Sequence, residues 1–185
     1  MRHELVNSIY SFKMYRMIQN QFLTPHFKLS EMLASRKAVE HGINNIPTEE
    51  AVENLRKLCE GCLEPLREEL GLPVVVTSGF RTKRLNSLLA HASDRSQHML
   101  GQAADFYVGP STGSGTESRR ELLIKAFRLI IQSERIDYDQ LIIYPTFIHV
   151  SFVSKERNRR NILKARSDGK LGYGKLTRAN ALKLV

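Results

Sequence analysis

His98 and Asp105 stand seven residues apart in SQHMLGQAADF, with Gly101 between them and two alanines leading into the β-branched and aromatic run that follows. A continuous helix would set their α-carbons about 10.5 Å apart at roughly 1.5 Å per residue, and a straight strand would set them more than about 20 Å apart. Joint work by the two side chains, such as holding one metal ion through bonds of about 2.0–2.2 Å, therefore requires the chain to turn back between them. Gly101 is where it can, because glycine adopts backbone angles closed to residues with a β-carbon. Beyond the turn, strand alternation puts Asp105 on one face with Ala103 and Tyr107, and Ala104 and Phe106 on the other.

Other elements arrange themselves around this junction. LTPHFKLSEMLASRKAVEHGI reads as a short extended entry and one helix, with Ser30 as N-cap, Glu31 in its first turn and Gly42 past its end. Thr48 then precedes an acidic first turn, and Val52, Leu55, Leu58, Cys59, Cys62, Leu63 and Leu66 form a helical stripe that Gly71 stops, with a kink or break expected at Pro65. LPVVVTSGF is a buried strand by composition, RTKRLNSLLAHAS reads as helical, and AADFYV is a second strand. VGPSTGSGTES is a flexible connection; it lacks the GK[ST] ending of a phosphate-binding loop. SRRELLIKAFRLIIQ is an amphipathic helix, and YDQLIIY and FIHVSF are two strands joined at Pro145-Thr146. KERNRRNILKARSDGKLGYGKLTRAN, after residue 153, shows little periodicity and reads as a loose basic tail.

With 185 residues, the chain has the length of one domain, and 42% hydrophobic against 25% charged residues suits a globular protein with a real core. The formal charge of +9 favours anionic surroundings, without naming them. Two cysteines form one CxxC within a helical stripe, too few for a structural zinc site or a disulfide framework, and they read as ordinary helix positions. No recognition-helix or aromatic-rich basic motif supports nucleic-acid binding, which is disfavoured. The N-terminal residues lack the apolar run of a secretory signal and no stretch has the length of a membrane span, so the expectation is a monomer, cytoplasmic as encoded, with no membrane partner. Residues 1–20 read as an extension ahead of the organised pattern.

The hairpin supplies a third polar group. In FIHVSF, Ile148, Val150 and Phe152 form the apolar face, leaving His149 and Ser151 on the other. If Pro145 and Thr146 make the turn, Ile142 lies opposite His149, Gln140 and Tyr144 share its face, and Asp139 points away unless the register slips by one residue.

Taken together, Ser96, His98, Gly101, Ala103 and Asp105, followed by His149 in IHVSF, resemble the Ser-x-His-x-x-Gly-x-Ala-x-Asp signature and later strand histidine of one family. It is the zinc D-alanyl-D-alanine carboxypeptidase and endopeptidase family, M15-like peptidases that share a fold with the hedgehog signalling domain. Ser78-Gly79-Phe80-Arg81 is similar to that family's SGYR, and the resemblance spans about residues 22–153. It implies an α+β fold, with a small antiparallel sheet carrying the zinc site and helices flanking it. The implied organisation is an extension over 1–20, a peptidase domain over 21–153 and a basic tail over 154–185. His98, Asp105 and His149 would hold one zinc ion, leaving a position for water that the metal activates. Arg81 would stabilise the oxyanion, and Ser96 and Gln97 would shape the substrate site, with Gln140 and Ser151 on the neighbouring strand face.

The sequence departs from the pattern at one point. Many relatives place a carboxylate three residues before the last histidine as general base, and here that position is Thr146. Asp139, Tyr144 and His91 are the candidates left for that role. The implied activity is hydrolysis of a peptide bond in the peptidoglycan stem, by carboxypeptidase or endopeptidase action, on the cell wall after lysis or non-classical export. The alternative is a zinc-containing domain that binds peptidoglycan peptides without turnover.

Overall fold

A computed structural model describes residues 21–90, 92–109, 118–166 and 172–184 of the chain. The expected extension over 1–20, most of the Gly/Ser-rich connection and His91 lie outside the described residues.

The chain enters through a small hairpin, β1 (Phe22–Thr24) and β2 (Phe27–Lys28), and two short helices, α1 (Leu29–Leu33) and α2 (Arg36–Glu40). The single helix expected here is corrected. Ala34 takes an extended conformation (φ −62°, ψ 130°), and Ser35, not Ser30, caps the second piece by accepting a hydrogen bond from the Ala38 amide. Helix α3 (Glu49–Leu58) begins as expected at Thr48, whose hydroxyl accepts from the Ala51 amide. It runs through one π-helical turn, Cys59–Leu63, into α4 (Glu64–Leu70). Pro65 explains that turn. It has no N–H for the carbonyl of Gly61, four residues back, and that carbonyl instead accepts from the Asp137 amide at 2.9 Å. Both cysteines are buried in this turn, and burial pushes their thiols far above the usual range, as befits inert packing.

Next come β3 (Val74–Ser78), α5 (Lys83–Ser87), a 3-10 turn at Gln97–Leu100, β4 (Ala103–Val108) and α6 (Arg119–Gln132). Helix α6 is the amphipathic segment read from the sequence. Ser118 and Glu121 form a reciprocal capping box at its start, and Leu123, Ile124, Ala126, Phe127, Ile130 and Ile131 are buried along it. The hairpin β5 (Gln140–Ile143) and β6 (Ile148–Ser151) follows, then β7 (Asn161–Ala165), β8 (Tyr173–Lys175) and α7 (Arg178–Ala181).

Six strands form one sheet in the order β3-β4-β6-β5-β7-β8, antiparallel at every pairing except β5 with β7. The α+β architecture agrees with the fold expected. One face of the sheet, with Ala104, Phe106, Leu141, Ile143, Ile148 and Val150, belongs to the same buried cluster as Leu55, Leu58, Leu63, Phe127 and Ile130 from the helices. The opposite face carries Asp105, Ile142 and His149 on adjacent strands. Burying one face against helices thus leaves the other available for chemistry.

The basic segment after residue 153 is not a loose tail, and this expectation is corrected. Ile162 joins the core, β7 lies parallel to β5 from Gln140↔Asn161 to Ile143↔Lys164, and β8 pairs with β7. Two buried carboxylates hold the connecting loop. Asp137 accepts from Asn158 (2.9 Å) and Arg160 (3.0 Å), and Asp139 accepts from Arg159. No helix among the described residues is long and apolar enough to cross a membrane.

Candidate metal centre

His98 sits in the 3-10 turn, which Gly101 ends with φ 70° in the left-handed region. This is the reversal that the spacing of His98 and Asp105 demanded. Backbone bonds tie the turn to its surroundings: the Arg81 amide donates to the His98 carbonyl (3.1 Å), Gln102 to Gln97 (3.0 Å), and Phe152 to Gln102 (2.9 Å). The turn is therefore fastened at once to the Ser78–Arg81 segment and to the end of β6.

Asp105 and His149 face each other directly in the β4–β6 ladder, and Ile142 lies opposite His149 in β5–β6, the register read from the hairpin. One ligand atom from each of His98, Asp105 and His149 falls within 4.8 Å of the others. His149 Nδ1 lies 2.8 Å from Asp105 Oδ1, His98 Nε2 lies 3.4 Å from the same oxygen, and the two imidazoles approach to 3.3 Å between those nitrogens. His98 Nδ1 is 2.6 Å from the Gly79 carbonyl. A carbonyl only accepts, so Nδ1 carries the proton and the Nε2 lone pair is turned toward Asp105 and His149.

Electrostatics favours the protonation states a cation needs. Burial pushes His98 toward its neutral form, although Asp105 opposes the shift. Burial alone would raise the Asp105 carboxyl; its two imidazole neighbours, His98 and His149, outweigh it and hold the group well below the usual carboxylate range. Two imidazoles and one carboxylate, converging with one tautomer fixed by a backbone carbonyl, fit zinc with room for a further ligand.

These three residues open onto a cleft of about 890 Å³, and every described candidate except the buried Ser151 lines it. Arg81 lines it too, and its buried Nε has no hydrogen-bond partner among the described residues. Burial draws the Arg81 pKa down, with Asp105 and Tyr144 opposing. Ser151 supports Gln140 from behind, its hydroxyl oxygen accepting from the Gln140 amide (3.1 Å) and lying 3.4 Å from Asp139. Tyr144 stacks on Phe147 with ring centroids 4.2 Å apart and shares a 2.8 Å hydroxyl contact with Tyr173. Burial and then that contact push the Tyr144 phenol far above its ordinary pKa, so the hydroxyl is neutral and suited to donate.

Asp139 is placed differently from the expectation that it points away from His149's face. The strand register has not slipped. Asp139 lies one residue before β5, and both it and Gln140 bond to Ser151, Asp139 through its amide to the Ser151 carbonyl at 2.7 Å. This local bulge turns the carboxylate to the cleft side, where Gln97 Nε2 donates to it at 3.0 Å. Arg159 donates to it from Nε (2.8 Å) and from its backbone amide (2.9 Å). Burial alone would raise the Asp139 carboxyl, but these bonds outweigh it and lower its pKa.

A stability prediction follows. Asp139 is 1% exposed while Arg159 is 55% exposed, so breaking the pair with Asp139→Asn is expected to cost about 2–3 kcal/mol at pH 7, less than for a fully buried pair. Because the folded pKa is depressed, the carboxylate's contribution is complete above the unfolded value of about 4 and is lost as pH falls through the folded one. The gap between wild type and variant in urea unfolding should narrow below about pH 4; a gap constant with pH would rule out the ionic contribution.

Sequence reading missed Arg159, Phe147 and Tyr173, which also line the cleft. Arg159 was hidden in the run KERNRR, where nothing marks which arginine meets a buried acid. The available signal lay on the other side, in two aspartates, Asp137 and Asp139, flanking a strand and needing partners.

A protein-family model described as Peptidase M15 matches residues 25–151, which takes in the whole ligand set. No curated protein matches the chain.

Proposed function

The chain belongs to the peptidase M15 family, and from that premise we propose that it is a zinc peptidase, binding one ion, which cleaves a peptide bond in the peptidoglycan stem as a carboxypeptidase or endopeptidase. The observation that carries this reading is the convergence of His98, Asp105 and His149 within 4.8 Å at the wall of a cleft that Arg81 also lines.

His98 Nε2, His149 Nδ1 and an Asp105 oxygen would hold the ion. Zinc in such a site supplies Lewis acidity toward a carbonyl oxygen and toward water. Arg81, held by its amide on the His98 carbonyl and lining the cleft, would offer its guanidinium to the developing oxyanion. The neutral Tyr144 hydroxyl is a second donor at the same wall, and the Tyr144–Phe147 stack gives the substrate an apolar rest. Gln97, fixed by Asp139, shapes the adjoining wall. Asp139 itself is committed to Arg159 and Gln97, and in this reading it positions them instead of taking the proton.

The test is incubation of the zinc-loaded protein with purified muropeptides, followed by assay for new amino groups. Arg81→Ala is expected to lower kcat by roughly 10²–10³-fold with zinc content unchanged, as for loss of an oxyanion donor. An unchanged kcat would remove Arg81 from the chemistry. One observation favours a second reading, a peptidoglycan-binding domain without turnover: among the described residues the carboxylates lining the cleft are Asp105, a ligand in this reading, and Asp139, already paired. Retention of muropeptides with no amine release would select it.

A further inference from the structure

Tyr144 directly follows β5, and three contacts fix it at the cleft wall. Its amide donates to the Phe147 carbonyl across the turn (2.9 Å), its carbonyl accepts from the Arg120 guanidinium of α6 (3.1 Å), and its ring stacks on Phe147 with 12° between the planes. Backbone and ring are thereby set, and the phenol keeps one freedom, rotation of its hydroxyl about the C–O bond. The group lies where the charges of Asp105 and Arg81 both bear on it. A second hydroxyl, that of Tyr173, meets it at 2.8 Å, with the two rings edge to face and their centroids 6.1 Å apart. Tyr173 comes from β8, opposite Ala165 of β7, and lies beyond residue 151, where the Peptidase M15 match ends. It is 52% exposed, so its ring adds little to the core.

We infer that Tyr173 is a positioning residue of the cleft: its hydroxyl donates to the Tyr144 oxygen and so turns the Tyr144 hydrogen toward the reacting carbonyl of the substrate. The inference rests on the peptidase reading and adds to it a residue from outside the family match. Two hydroxyls at this distance share one hydrogen. If Tyr144 supplied it, its only donor would be spent on Tyr173 and nothing would be left for an oxyanion. With Tyr173 as donor, Tyr144 accepts at its oxygen and gives its own hydrogen away, and the first bond polarises and strengthens the second. Tyr173 can turn its remaining acceptor capacity to solvent, whereas burial withdraws Tyr144 from much of that solvent. Negative charge growing beside Arg81 selects this arrangement, since only here does the Tyr144 hydrogen point at it. The segment after residue 153 thus takes part in the site through β8.

The experiment is a double-mutant cycle of Tyr173→Phe and Tyr144→Phe on the zinc-loaded full chain. It is read by steady-state amine release from muropeptides and, without turnover, by calorimetric binding of a phosphinate peptide, whose tetrahedral oxyanion is not cleaved. Phenylalanine keeps both rings and their packing, and thermal unfolding and zinc content verify that each variant is folded and loaded. Tyr173→Phe is expected to lower kcat about 3–10-fold with KM within about twofold of wild type, and to weaken phosphinate binding by a similar factor. In the Tyr144→Phe background the same substitution should change either quantity by less than about twofold, because the group it acts through is gone. Phosphinate binding by Tyr173→Phe equal to that of the wild type overturns the inference. So does an equal loss in both backgrounds, which would mark a contribution independent of Tyr144. Coupling in phosphinate binding with no amine release by the wild type sinks the peptidase and keeps the hydrogen-bonded pair, and amine release without coupling in either readout does the reverse. A wild type that neither binds the phosphinate peptide nor releases amine overturns both.

Discussion

His149→Ala is expected to abolish both zinc retention and peptide hydrolysis while leaving the fold standing. His149 projects from the sheet face opposite the core, and its β-strand neighbours Ile148 and Val150 supply the packing, each 0% exposed. Its loss removes one of three converging ligand atoms and the 2.8 Å partner of Asp105. Two protein donors rarely retain zinc where three or four are usual, so affinity should fall by at least about 10²-fold and turnover by about 10³-fold or more. Competition against a chromogenic chelator reads the first effect and amine release the second. Thermal unfolding of the metal-free proteins checks the third: the variant should lie within a few degrees of wild type, because a half-buried side chain off the core contributes little to stability. If the variant keeps full activity at saturating zinc, the assignment of the centre is wrong. If it unfolds in the metal-free state, His149 has a packing role that the alternation of β6 does not provide.

The centre itself was legible in the sequence for a geometric reason. Only a reversal lets residues 98 and 105 meet, and Gly101 is the one residue between them that tolerates it, so that local chemistry and backbone geometry gave the same answer. The β5–β6 register was legible because a two-residue turn fixes it: Pro145 and Thr146 set Ile142 against His149. What failed had its cause in tertiary contacts. The apparent single helix after β2 is broken at Ala34, a residue with high helix propensity, and Ser35 caps the new start. Strand β7 was lost among charges because its pattern, NILKA, offers one buried side chain, Ile162, and takes its place through pairing along β5. The orientation of Asp139 eluded alternation since two residues oppose Ser151 there, a displacement that no periodicity in YDQLIIY announces.

Gly101→Ala should be the most damaging single methyl group that can be added near the site. At φ 70° an alanine is already in a region that L-residues avoid, at a cost of about 1–2 kcal/mol. A β-carbon built there would also lie 2.2 Å from the carbonyl oxygen of Ala51 and 3.0 Å from its carbonyl carbon, both backbone atoms of α3. Backbone in a helix cannot swing aside as a side chain does, so the turn or the helix must move, adding about 1–3 kcal/mol for overpacking. Gly71→Ala separates the two contributions. Gly71 has φ 64° at the end of α4, and its added β-carbon would meet nothing within 4 Å. It should therefore show the conformational part alone, about 1–2 kcal/mol, whereas Gly101→Ala should lose about 2–5 kcal/mol in urea unfolding. Function should separate them more sharply. A turn pushed off α3 carries His98 with it, and loss of the 2.6 Å bond to the Gly79 carbonyl would free the imidazole to rotate. Zinc affinity is thus expected to fall about 10–100-fold in the folded Gly101→Ala protein and to remain unchanged in Gly71→Ala. Equal destabilisation by the two substitutions would mean that the close approach of the turn to Ala51 plays no part in holding the metal centre together.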